Sequence, residues 1–241
     1  MALPKIDVPT YNIELPVSKK RIKYRPFLVK EQKNLLMAME ANDSETIHNA
    51  IRDVLNNCTM TPDFKIDETP IIDIEYYFLQ LRARSVGEVV TNKYRCENEV
   101  DGKVCGNSME VSLNLFEIKV EQDEKLSDVI QLTPTVTIRL KYPQFGVIEK
   151  TNGVDNANDL AFNMIIDSID SIFDGQQYYY AKETPRKELI DFIEQLNAEQ
   201  FGKIEDFFKN LPKLNKRIDC TCSKCGFQHL IEVEGLENFF G

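Results

Sequence analysis

The sequence predicts an α+β fold in which a helical N-terminal region is followed by two strand–turn–strand segments that flank an inserted α/β region. Three observations carry this expectation. Residues 29–81 show helical periodicity punctuated by helix-start signals. Two distant segments, around Cys96 to Cys105 and Cys222 to Cys225, each read as strand, cysteine-bearing turn, strand. Between them, residues 121–215 alternate strand-like and helix-like stretches.

Taken in order, residues 4–28 place Pro4, Pro9, Pro16 and Pro26 between short extended pieces. Residues 11–15 and 21–24 alternate as strands do, and Pro26 should end the second or hold it at an edge. Residues 29–40 are rich in strong helix formers, with Met37 and Met39 expected to fill core rather than line a groove. Asn42-Asp43-Ser44-Glu45 is a second helix start that sets Ile47, Ile51, Val54 and Leu55 on one face. Cys58 behind that face reads as a buried thiol, and His48 as a surface or core residue rather than a general base. Pro62 and Pro70 bracket a loop. Asp67-Glu68-Thr69-Pro70 then opens a third helix, with Ile74, Phe78 and Leu81 at i, i+4, i+7 spacing.

Strands are expected over 86–96 and 109–120, with Cys96 and Cys105 separated by eight residues and followed by Gly106. Far downstream, Cys222 and Cys225 form a Cys-x2-Cys step followed by Gly226 and the apolar Leu230, Ile231 and Val233. A knuckle that brings two thiolates to one metal needs a tight turn, and glycine supplies the φ > 0 that the turn requires. Free cysteine is also a common core residue. The matched glycines and strand patterns favour the metal instead: a split four-cysteine zinc ribbon holding one structural Zn2+ by Cys96, Cys105, Cys222 and Cys225. Cys220 competes with Cys222, but its step to Cys225 is longer than a knuckle usually has, so it is assigned as a neighbour. His229 is in reach of such a metal, and a strand position beside it is the expectation. The implied organisation is 1–90 for the N-terminal strands and helices, 91–120 with 216–241 for the ribbon, and 121–215 as an inserted α+β region.

The insertion opens with acidic residues at 121–124, followed by a strand at 135–140. Leu160, Met164, Ile165, Ile169 and Ile172 mark a helix stopped by Gly175, and residues 176–180 read as extended. Thr184-Pro185 starts the next helix with proline at its first position, burying Leu189, Ile193 and Leu196. Asn197-Ala198-Glu199-Gln200 resembles a capping box, and Phe201, Ile204, Phe208 and Leu211 line the last helix.

With 241 residues, 42% apolar and 28% charged, the chain has the make-up of an ordinary globular protein. No run approaches the ~20 apolar residues of a membrane span, and the start lacks a signal-peptide apolar core. A cytoplasmic protein is expected, where paired cysteines are more often metal ligands than disulfides. The net charge of −10 argues against a nucleic-acid binder, whose footprint would be basic. Residues 1–36 nevertheless hold eight Lys/Arg against three Asp/Glu. That basic stretch reads either as a solvated edge strand or as a contact for an acidic partner, with Ile22, Tyr24 and Phe27 burying apolar area on docking. No phosphate-cradling glycine motif, His-Glu-x-x-His pair or serine elbow is present. Carboxylates such as Asp167 and Asp170 are too common to mark an acid–base pair, and four thiolates leave zinc no open position. No catalytic residue is assigned.

Several stretches together point to a family. Tyr24-Arg25-Pro26-Phe27-Leu28-Val29-Lys30-Glu31, Leu81-Arg82-Ala83-Arg84-Ser85-Val86-Gly87-Glu88, Gln200-Phe201, Phe207-Phe208, Leu211-Pro212-Lys213-Leu214, the Cys-x2-Cys-Gly knuckle and Gly235-Leu236-Glu237-Asn238-Phe239-Phe240 follow one another along the chain. In that order the sequence resembles the baseplate hub and hub-assembly proteins of T-even-type contractile-tailed bacteriophages. The resemblance implies a structural or chaperone-like part in building the hub, with hub subunits and the tape-measure protein as partners, and no enzymatic role. The competing function is a zinc-ribbon nucleic-acid binder of transcription or replication. The basic run 213–217 favours it, and the acidic balance and lack of an aromatic stacking platform oppose it. That basic run has a simpler use near a four-thiolate zinc, offsetting its double negative charge, to which Lys93, Arg95 and Lys224 also contribute.

Overall fold

A computed structural model describes residues 6–41, 43–123, 125–147 and 157–234. The chain is α+β and divides into two compact units, Met1–Phe64 with Ile72–Glu121 and Lys213–Gly241, and Lys65–Ile71 with Gln122–Pro212.

The first unit begins with an antiparallel hairpin of β1 (Tyr11–Glu14) and β2 (Arg21–Tyr24), Tyr11 opposite Tyr24. Ile22, Tyr24 and Phe27 are already buried within the chain, so they are core residues rather than area held in reserve for a partner. Three helices follow: α1 (Val29–Ala41), α2 (Ser44–Cys58) and α3 (Ile71–Val86). Asp43 caps α2, its carboxylate accepting the Thr46 N–H. The start of α3 carries the buried Asp73, whose carboxylate accepts the Val17 and Ser18 N–H groups at 2.8 Å each and so fixes the β1–β2 turn. Helix α1 buries Glu31 and Ala38, and Met37 and Met39 are each 58% exposed. The expectation that those methionines fill core is corrected: they lie off the narrow side that α1 buries.

β3 (Val89–Arg95) pairs antiparallel with β6 (Ser108–Asn114), and between them β4 (Glu99–Val100) and β5 (Lys103–Val104) form a small hairpin. A 3-10 turn at Leu115–Glu117 leads to β7 (Lys119–Glu121).

In the second unit, β8 (Val129–Gln131), β9 (Thr137–Leu140), β10 (Ile169–Phe173) and β11 (Tyr178–Tyr180) form an antiparallel sheet in the order β11-β10-β9-β8. Its helices are α4 (Ala157–Asp167), α5 (Arg186–Glu194) and α6 (Ala198–Lys209). The helix expected to run through Ile172 ends at Asp167. The Ser168 N–H donates to the Met164 and Ile165 carbonyls, closing the last turn, and Ile169 and Ile172 become buried residues of an inner strand. β-branched side chains suit that pleated, covered position. The core joins Ile138, Leu140, Ile165, Ile166, Leu189, Ile193, Ile204 and Phe207. Pro185 is the residue before the first turn of α5 rather than within it. On α6 it is Phe207 that is buried with Ile204, and Leu211 lies beyond the helix end. The loop Lys65–Ile71 belongs to this unit through backbone bonds such as Phe145 N–H to the Thr69 carbonyl, 2.9 Å.

The chain returns to the first unit at β12 (Lys213–Thr221), which pairs with β13 (Gln228–Glu234) on one side and β7 on the other. Leu214 and Val233 thereby join Leu79, Leu113, Leu115 and Ile118 in one core. Among the described residues, no helix is long and apolar enough to cross a membrane. The closing Gly235-Leu236-Glu237-Asn238-Phe239-Phe240 stretch lies outside the described residues.

Candidate metal centre

Each cysteine pair sits where a hairpin turns. Cys96 follows β3 directly and Cys105 follows β5; Cys222 follows β12, and Cys225 lies in the turn before β13. The two turns repeat one backbone pattern. Gly106 N–H donates to the Cys96 carbonyl, and Gly226 N–H to the Cys222 carbonyl, both at 2.9 Å. Cys96 N–H donates to the Asn107 carbonyl, and Cys222 N–H to the Phe227 carbonyl. Gly106 and Gly226 hold φ of 65° and 72°, a region that costs other residues strain. The insertion of β4 and β5 between Cys96 and Cys105 therefore lengthens the first turn without changing its closing bonds.

The four sulfurs converge. Cys96, Cys105, Cys222 and Cys225 Sγ all lie within 4.8 Å of one another, with 3.7 Å between Cys96 and Cys225 and 3.9 Å between Cys105 and Cys222. Metal–sulfur bonds of about 2.3 Å at tetrahedral angles separate the sulfurs by about 3.8 Å. The donor set thus fits one tetrahedral metal ion. Cys96 and Cys222 are buried, and Cys105 and Cys225 half-buried. Cys220 packs against the group without joining the four. Cys58 stands apart in the first unit's helical part, fully buried, and burial pushes its thiol up to about 11.

The surroundings act differently on the individual sulfurs. The Cys225 N–H directed at Cys222 pulls that thiol down to about 6 against the opposing effect of burial, with the Lys224 N–H assisting. Desolvation pushes the Cys96 thiol up to about 12 in the absence of a metal. Asn98 Nδ2 donates to Cys225 Sγ at 3.7 Å, and Asn107 Nδ2 to Cys222 Sγ at 3.5 Å. His229 Nε2 lies 3.2 Å from Cys96 Sγ, outside the set of four. Sequence reading singled out His229 only as a neighbour and passed over both asparagines, whose partners lie 115 and 127 residues away. Of the cations expected to offset charge, Lys224 Nζ donates to the Cys105 carbonyl at 3.0 Å and Arg95 lies over Gly106. Lys93 is instead paired with Glu110 across the β3–β6 ladder, at 3.6 Å.

Residues 8–241 match the family described as T4 bacteriophage base plate protein. No curated protein and no solved structure matches the chain.

Proposed function

The chain belongs to the T4 bacteriophage base plate protein family, and from that membership we propose that it is a structural or chaperone-like protein of the tail baseplate hub, acting through protein–protein contacts. The observation that carries the reading is a cluster of four thiols with the geometry to hold one metal ion, gathered from two segments of a base plate chain whose Cys105 and Cys222 are 117 residues apart. In this reading Cys96, Cys105, Cys222 and Cys225 hold one zinc ion in a ribbon split between 91–120 and 216–241, with residues 121–215 inserted. When bound, zinc supplies a cross-link between hairpins, because four thiolates leave no position for an activated water. The protein is accordingly not an enzyme. Its partners are hub subunits and the tape-measure protein, met in the host cytoplasm during assembly and in the virion tail.

The first contact surface is the basic hairpin. Lys19, Lys20, Arg21 and Lys23 are exposed while Ile22 and Tyr24 face inward, and Asn12, Glu14, Arg21, Lys23 and Thr61 line an open groove of about 490 Å³. Apolar contact area is available from α1, where Leu36, Met37 and Met39 are exposed. Such a surface steers an acidic partner by charge and gains affinity from the apolar contact.

Two measurements test the proposal. Protein purified without chelator should carry about one zinc per chain, as a single four-ligand site requires. Cys222→Ser should lose it and Cys220→Ser retain it. Lys20→Glu/Arg21→Glu/Lys23→Glu should abolish pull-down of hub components while leaving the fold intact. Tight, steeply salt-dependent binding of DNA or RNA with no hub partner would overturn the assembly role in favour of a nucleic-acid binder.

A further inference from the structure

The four thiols of the cluster are not equally supported. Three face a side-chain nitrogen: Cys225 takes the Asn98 amide, Cys222 the Asn107 amide and Cys96 the His229 imidazole. Among the described residues, Cys105 Sγ has no side-chain N–H donor, and the nearby Lys224 ammonium is spent on the Cys105 carbonyl instead. The contrast is cleanest between Cys105 and Cys225, which are both half-buried and differ in the Asn98 bond.

An N–H···S bond withdraws charge from a thiolate and fixes its direction, and outer groups of this kind hold metal ligands in place. We infer that Cys105 is the labile corner of the metal site, the ligand that releases first and through which the metal enters and leaves, and that Asn98, Asn107 and His229 are positioning residues that hold the other three. This rests on the zinc reading above. His229 sits outside the set of four sulfurs while its Nε2 lies 3.2 Å from Cys96 Sγ, and because a metal-bound thiolate can only accept, the imidazole serves there as a donor to a ligand rather than as a fifth ligand. The two asparagine amides are uncharged and leave the doubly negative charge of a four-thiolate zinc in place, so the bare corner keeps most of the nucleophilic character.

The test uses full-length, zinc-loaded protein treated with a limiting amount of N-ethylmaleimide, with the modified residues mapped by mass spectrometry. Cys220, which is half-buried and outside the cluster, serves as the internal reference. Among the four, Cys105 should react about tenfold ahead of Cys225, in line with the effect of outer-sphere partners on metal ligands. Asn98→Ala should bring Cys225 up to the rate of Cys105. Asn98→Leu, which keeps the side chain's size but removes its N–H without adding a charge, should do the same. Zinc loss to a chelator should be about tenfold faster in His229→Ala, and His229→Gln, which restores an N–H, should recover most of the difference. Wild-type protein lacking zinc would refute the zinc reading itself. Bound zinc with Cys225, Cys96 or Cys222 reacting first, or an order unchanged in both Asn98 variants, would refute the ranking of the thiolates.

Discussion

Glu31 is a buried charge at the start of α1, 2% exposed. Its carboxylate accepts the Leu28 N–H at 2.8 Å and the Arg25 guanidinium at 2.9 Å. Burial alone would raise its pKa; the Arg25 hydrogen bond and the Leu28 N–H outweigh it and hold the group below its ordinary 4.5. A carboxylate with a depressed folded-state pKa contributes stability that is full above the unfolded value and is lost as pH falls through the folded one. Glu31→Gln should therefore lower stability at pH 7 by about 2 kcal/mol, the scale of hydrogen bonds to a buried charge. The gap from wild type should close in acid, as followed by urea unfolding at several pH values, and a gap that stays constant down to pH 3 would contradict this. Residues with local partners were the legible ones. The cysteines were legible for another reason, a glycine trailing each pair and one short Cys-x2-Cys step, although their sulfur partners lie 117 and 129 residues away. Asp73 was not, because its partners Val17 and Ser18 lie 56 and 55 residues away. The contact of His229 with Cys96 spans 133 residues.

At the scale of elements, the best-read feature was the start of α6. Asn197 Oδ1 accepts the Gln200 N–H at 2.9 Å while Gln200 Oε1 accepts the Asn197 N–H at 3.0 Å, a closed reciprocal cap. Asn197→Ala should cost about 1 kcal/mol, measured as a lower urea midpoint at unchanged slope. Gln200→Ala alone should cost less, since the Asn197 bond survives. Caps are legible because both partners lie within one turn. The junction of α4 with β10 was illegible for the opposite reason. Apolar residues at 160, 164, 165, 169 and 172 satisfy helical spacing, and a short apolar run that is buried on a sheet produces the same signal. What ends α4 is Ser168, a residue with no breaker signature, and what recruits Ile169 and Ile172 into a strand is the presence of β9 and β11 beside them. The methionines of α1 misled for a related reason. Hydrophobicity marked them as core, yet the buried stripe of that helix runs through Glu31 and Ala38.

For the whole molecule, the decisive fact is that the two units have separate apolar cores. Leu79, Leu113, Leu115, Ile118, Leu214 and Val233 belong to the unit that carries the cysteines, and Ile138, Leu140, Ile193, Ile204 and Phe207 to the other. The chain completes the first unit only at β12 and β13, after passing through the second. A metal held by Cys105 and Cys222 joins positions 117 residues apart, closing the first unit on itself. Structural zinc in small domains binds with roughly 10–16 kcal/mol, comparable with the 5–15 kcal/mol net stability of a typical domain. Removal of the proposed zinc should therefore loosen the first unit far more than the second. On chelation, melting of the first unit should shift to lower temperature and precede that of the second. Methyl NMR separates the two: signals of Ile118 and Leu214 should broaden or move first, while those of Ile138 and Ile193 persist to higher temperature. If zinc is gone and Ile118 and Leu214 remain native, the apolar core alone holds the first unit, and the metal is dispensable for its fold. Simultaneous loss of both sets would show instead that the second unit depends on the first for its stability.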